Sequence, residues 1–195
     1  MIEKNVHLRK LTAEEIESIY KNHLVKDFPA GEVKPLNVIL ERFHNGQYLG
    51  YGLFLNREPE ELAGYAFIMN IRTDAIYLLD YFAIVEGMRI SGYGSVFLNA
   101  IKETCVQENR RLILEVENPD YEKDIRLQEK MQKRIAFYKK NDIHVSGVTC
   151  NFYDNEYRIL YAGTPLEDQQ IYQKIMLSYV DFFGEEFIEA HVVFH

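Results

Sequence analysis

The sequence predicts a mixed α/β fold, with a central, mostly antiparallel sheet of about seven strands flanked by helices, and three observations carry that expectation. Three consecutive β-type runs, "QYLGYGLFL", "ELAGYAFIMNI" and "AIYLLDYFAIV", are separated only by the polar turns "NREPEE" and "RTD", which reads as an antiparallel meander. A glycine-rich turn then leads into a helical stripe and a further short apolar run, "LILEV", which is the pattern of a right-handed strand–helix–strand crossover. Finally, 195 residues at 47% apolar, without low-complexity tract, repeat or linker, describe one folded domain over 1–195, with 165–195 as a C-terminal helical and extended extension.

Taken in order, "NVHLRKL" alternates as a first strand. Thr12 and Glu15 stand at capping-box spacing ahead of Ile16, Ile19, Tyr20 and Leu24, which fall on one helical face. "FPAGEVKP" ends that helix. Leu36, Ile39, Leu40 and Phe43 then repeat at helical spacing until Asn45-Gly46 stops them. After the meander, Phe97, Leu98, Ile101 and Cys105 form the crossover stripe. Leu127, Met131, Ile135 and Tyr138 share a face of a later helix, with Asn141 as its left-handed stop. "EYRILYAG" is a late strand. Past Pro165, Ile171, Ile175 and Tyr179 mark another helix, and "FIEAHVVFH" a final extended piece.

Charge and cysteine usage exclude several classes. Thirty acidic against 22 basic side chains leave a formal charge of −8, and no Lys/Arg cluster is long enough to neutralise a row of phosphates. No nucleic-acid partner is expected, whereas a negative surface favours cationic small molecules such as amines. Cys105 and Cys150 form no CxxC pair, so neither zinc nor a disulfide framework is indicated and a reducing cytoplasm suits them. The charged start "MIEKNVHLRKL" and the lack of any apolar run near about 18 residues support neither secretion nor a membrane span.

The junction "RISGYGS" carries the chemistry. Gly92 and Gly94 remove side chains where a helix opens with unpaired N–H groups and the positive end of its dipole. They also permit positive φ, so that amides converge into a nest, while Arg89, Ser91 and Ser95 add donors for phosphate oxygens. A tight strand-to-helix turn is the alternative use of the same glycines. The spacing fits neither a P-loop nor GxGxxG.

The segment "LLDYFAIVEGMRISGYGSVFLNAI" resembles the signature of the GNAT superfamily, the acyl-CoA-dependent N-acyltransferases. Phe82-Ala83-Ile84 stand at its strand positions, and Arg89, Gly92 and Gly94 stand at R/Q-x-x-G-x-G/A. "LILEVEN" is similar to the family's fifth strand, and "RIAFYKKNDI" to its helix with adjacent Phe137 and Tyr138. The resemblance in element order spans roughly residues 6 to 163. It implies a sheet splayed between strands 4 and 5. It also implies acetyl-CoA as acyl donor, its diphosphate on the amides of Ile90, Ser91, Gly92, Tyr93, Gly94 and Ser95, and its pantetheine along Phe82, Ala83 and Ile84.

The same resemblance implies roles for individual side chains. Tyr138 becomes the proton donor to the leaving sulfur, although a tyrosine chosen at random more often serves packing. Asp80 shares strand parity with Phe82 and Ile84 and becomes the carboxylate facing the acceptor, with partial burial expected to raise its pKa. A carboxylate bonded to neighbouring backbone or to a tyrosine hydroxyl is its structural alternative. Glu117, at the end of "LILEVE", is the rival base, and Asn118 corresponds to an asparagine that contacts pantetheine, across a longer stretch to Tyr138 than the pattern usually has. All six histidines, including His191 and His195, read as structural or exposed, and no metal is expected.

The implied activity is transfer of an acetyl group from acetyl-CoA to a primary amine of a small molecule or peptide, by direct attack in a ternary complex. A non-catalytic acyl-CoA-binding module and a nucleotide-binding protein are the readings to be discriminated. Acceptor choice falls to "DFPAGEVKPLN", with Asp27, Phe28 and Glu32, to the loop at Asn118 and to the tail after Pro165, which is also the candidate surface for a homodimer.

Overall fold

β1 (Val6–Lys10) pairs antiparallel with β2 (Tyr48–Leu55), Val6 opposite Leu55 and Lys10 opposite Tyr51, in a computed structural model that describes residues 5–89, 91–152 and 155–195. Between these strands the capping box forms as its spacing predicts. The Glu15 amide donates to the Thr12 hydroxyl (3.3 Å) and the Thr12 amide to the Glu15 carboxylate (2.9 Å), which starts α1 (Ala13–Ile19). Ile16, Ile19 and Leu24 are buried, as the stripe requires, while Tyr20 of the same stripe is only half-buried. The stripe does not foretell the π-helical turn Tyr20–Leu24, which separates α1 from the short α2 (Val25–Asp27). Beyond the break at Phe28, α3 (Leu36–His44) buries Ile39 and stops at Gly46, whose φ is 68°.

β3 (Glu61–Ile71) pairs antiparallel with β2, with a register shift between Leu53 and Phe54, and the turn 72–75 returns the chain as β4 (Ile76–Ile84). A short 3₁₀ turn, Glu86–Met88, precedes α4 (Tyr93–Gln107), which buries Phe97, Leu98, Ile101 and Cys105 and delivers the chain to β5 (Arg111–Glu117). β4 and β5 are neighbours joined through a helix, which is the parallel crossover.

The chain packs as two compact units. One comprises the residues up to Asn70 together with Leu79–Glu103, the other Ile71–Leu78 together with Thr104 onward, so that β4 contributes to both. In the second unit Asp124 caps α5 (Ile125–Lys140) by accepting from Arg126 N at 2.8 Å. Ile135 and Tyr138 of its predicted face are buried, but Leu127 is exposed. The left-handed stop falls one residue later than the pattern suggests: Asn141 has φ −104° and Asp142 has φ 58°. Asn141 instead donates its side-chain amide to Phe137 O at 2.8 Å.

β6 (Ile143–Phe152), β7 (Asn155–Ala162), α6 (Asp168–Phe183), α7 (Glu185–His191) and β8 (Val192–Phe194) complete the chain. Among the described residues the strand order is β1-β2-β3-β4-β5-β7-β6-β8, a mixed and mostly antiparallel sheet of eight strands where about seven are expected. The additional strand is β6. Its register shifts between Val145 and Thr149, and Ser146 and Gly147 in that interval break the alternation by which a strand is recognised. The predicted final extended piece is β8, paired with β6, and α7 takes the residues before it. Among the described residues, no helix is long and apolar enough to cross a membrane.

Candidate active site

In the first unit β4 changes character along its length. Tyr81 is buried, whereas Asp80, Phe82, Ala83 and Ile84 are half-buried. Phe82 stacks on Phe97 of α4, ring centroids 5.1 Å apart. β3 runs tight against this stretch, since a Cβ added at Gly64 would lie 2.9 Å from the Ala83 carbonyl oxygen. After Val85 the chain turns, and Arg89 folds back on it: Nε donates to Ile84 O (3.0 Å) and Nη2 to the Asp27 carboxylate (2.5 Å). Arg89 therefore spends donors on the chain itself, where the sequence assigns them to phosphate.

Ile90 lies outside the described residues. Ser91 donates to Arg89 O (3.3 Å), and Gly92 takes the left-handed conformation, φ 79°, that a side chain would strain. α4 starts on the next residue, so Tyr93, Gly94 and Ser95 form its first turn, where amides have no intrahelical acceptor and the dipole is positive. A 15-residue helix opening on a glycine at positive φ, with a second glycine in its first turn, fits a diphosphate.

Asp80 sits at the centre of a polar cluster walled by rings. Lys34 Nζ donates to both of its oxygens (2.8 and 2.9 Å), and the Tyr48 hydroxyl donates to Oδ2. Tyr48 is fully enclosed, and burial together with the Asp80 charge drives its pKa far up, so it stays a proton donor at any physiological pH. The Tyr81 hydroxyl accepts from Lys34 N (2.9 Å) and donates to Glu32 O (2.7 Å), while Phe28 meets its ring edge-on. Tyr65 donates to Asp27 (2.8 Å), which joins Asp27 to Arg89 and the turn beyond. The structural alternative for Asp80, a carboxylate bonded by a tyrosine, is thus present alongside a cation that the sequence did not single out. Lys34 lies in a Pro- and Gly-containing loop whose local pattern says nothing about where its side chain ends.

The second unit holds the other candidates. Tyr138 is buried on α5, and burial pushes its hydroxyl up to about 12, with Arg134 acting in the opposite sense. Among the described residues no hydrogen bond engages that hydroxyl. Glu117 is paired with Arg134 Nη1. Asn118 is buried, and its Oδ1 accepts from Asp120 N and from Arg158 Nη2, both at 3.2 Å, so it caps the 3₁₀ turn Pro119–Tyr121. His191 closes α7 and His195 exchanges backbone bonds with Thr149.

No family model matches the chain, and no curated protein matches it in sequence. Solved structures do. A protein from Bacteroides thetaiotaomicron assigned to the GNAT family of acetyltransferases superimposes with a TM-score of 0.69 at 19% identity, over 92% of this chain and 99% of its own. Spermidine N-acetyltransferase from Vibrio cholerae, solved in complex with CoA and spermine, gives 0.59 at 11% identity, over 80% and 94%. Ard1 from Thermoplasma volcanium gives 0.57 at 18%, over 82% and 99%. The fold is that of the GNAT acetyltransferases.

Proposed function

We propose that this GNAT-fold chain is an N-acetyltransferase that moves an acetyl group from acetyl-CoA to the primary amine of a small molecule or peptide, by direct attack in a ternary complex. The observation that carries the reading is the junction of β4 with α4. A strand bearing a half-buried carboxylate runs, through a glycine at φ 79°, into the N-terminus of a long helix. A spermidine N-acetyltransferase of the same fold, solved with CoA and spermine, supports both an acyl-CoA donor and a small amine acceptor.

In this reading the first-turn amides of Tyr93, Gly94 and Ser95, with Ser91 and Gly92 ahead of them, hold the diphosphate, and the half-buried backbone of Phe82, Ala83 and Ile84 pairs with the pantetheine arm. The bound thioester supplies an activated acyl group. An ammonium of pKa about 10.4 must lose a proton before its nitrogen can form the new C–N bond, and Asp80 is the acceptor we assign. The C–S bond then breaks, Tyr138 stabilises the leaving thiolate, and the second proton of the attacking nitrogen passes to that sulfur, which leaves the amide and the free thiol. Because the Tyr138 hydroxyl lies near 12 and a thiol near about 8.5, it contributes as a hydrogen-bond donor in the transition state more than as a complete acid.

Release of free thiol from acetyl-CoA, followed over a panel of primary amines, tests the reading. Wild-type turnover that falls about 100-fold in Tyr138→Phe and in Asp80→Asn is the expected result. One observation favours a second reading, an acyl-CoA-binding module without turnover: Asp80 and Glu117 are each paired with a cation of the chain, Lys34 and Arg134. Tight CoA binding with no thiol release from any amine would establish that module and overturn the enzyme.

A further inference from the structure

Lys34 has no part in the proposed chemistry, yet it holds the centre of the first unit's polar cluster. Its ammonium engages both Asp80 oxygens and lies 5.4 Å from the centre of the Tyr81 ring, and the Tyr48 hydroxyl completes the carboxylate's shell. A desolvated carboxylate beside a ring face is the chemistry that recognises an alkylammonium ion. The side chain of Asp80 is only 13% exposed and that of Lys34 25%, so this pair is not a screened surface contact.

The segment that delivers Lys34 is lightly held. No residue from 28 to 35 is buried, and a Cβ added at Gly31 would meet nothing within 4 Å. Tyr81 holds the segment through Lys34 N, Glu32 O and the Phe28 ring, and the ion pair adds a further contact. A stretch with so few buried contacts opens at low free-energy cost.

Resting on the acceptor role given to Asp80, we infer that Lys34 is a specificity-determining residue: the chain's own ammonium fills the cation pocket of Asp80, Tyr48 and Tyr81, and an acceptor's ammonium group enters only by displacing it. The same exchange releases Asp80 to take the acceptor's proton. Amines therefore bind the wild type against an intramolecular competitor. With the open form populated at up to about 10%, their apparent affinity is reduced at least about tenfold.

The probe is n-propylammonium chloride, the part of the lysine side chain that Lys34→Ala removes. Calorimetric titration should give saturable binding to Lys34→Ala at least about tenfold tighter than to wild type, with a rise in the variant's Tm. Both effects should vanish in the Lys34→Ala/Asp80→Asn double variant, and n-propanol should produce neither. In wild type, high n-propylammonium against an equal ionic strength of sodium chloride should speed hydrogen exchange over residues 28–35. Equal affinity in wild type and Lys34→Ala, or no saturable binding to a folded Lys34→Ala, overturns the inference. If Lys34→Ala does not fold, unchanged wild-type exchange over 28–35 overturns it instead. These readouts require no turnover, so an absence of thiol release would sink the proposed activity and leave the cation pocket standing.

Discussion

Asp80, Gly92 and Gly64 each show a different relation between residue type and environment. For Asp80 the strand parity gives its position, while its chemistry depends on Lys34 and Tyr48, which are 46 and 32 residues away. Gly92 is legible in full, because a glycine between strand and helix announces a backbone that side chains avoid, and φ 79° is what is found. Gly92→Ala should cost about 1 to 2 kcal/mol of stability, measured by urea denaturation, and weaken CoA binding in a titration, since the strain falls on the turn that orients the amides. Gly64 carries no such announcement. Its need is set by the Ala83 carbonyl 2.9 Å from where a Cβ would go, and a backbone oxygen in a paired strand cannot move aside. Gly64→Ala should therefore lower stability by about 1 to 3 kcal/mol and disturb β4 beside Asp80. A Tm equal to wild type would contradict this.

Elements were readable where their stabilisation is local or periodic. The first helix declared both its cap and its buried face, and α4 declared Phe97, Leu98, Ile101 and Cys105, all of which are buried. Truncating the ring that packs under Phe82 tests the weight of that stripe: Phe97→Ala should cost about 3 to 5 kcal/mol in a chemical denaturation experiment. β6 was not readable, because its bulge around Ser146–Val148 resets the alternation and Ser146 satisfies its hydroxyl on Ile159 O (2.8 Å), a bond that exists only once β7 is alongside. The π-helical turn Tyr20–Leu24 belongs to the same class. Its residues fit an ordinary helical stripe, and only the packed chain selects the wider turn.

At the scale of the whole molecule, burial couples the fold to pH. Burial raises the Cys105 thiol from 9.0 to about 12, with Glu108 adding to the effect, and raises Tyr138 from 10.0 to about 12. Both groups are neutral when protonated, so the folded state holds these protons more firmly than the unfolded chain does. Their stabilising contribution is complete below pH about 9 and is lost as pH rises from there toward about 12. Urea midpoints should accordingly fall over that interval, and Cys105→Ala should flatten the lower part of the decline. The amino-acid sequence by itself determined the order of most elements, the crossover, the glycine turn and the start of the helix beyond it, because these follow from periodicity, capping and backbone freedom among neighbouring residues. Only the tertiary structure decided that Lys34 pairs with Asp80, that Arg134 pairs with Glu117, and that Asn118 accepts from Asp120 N and Arg158. The partner of a charged side chain is fixed by which distant segments packing brings within about 3 Å, and no local pattern encodes that distance.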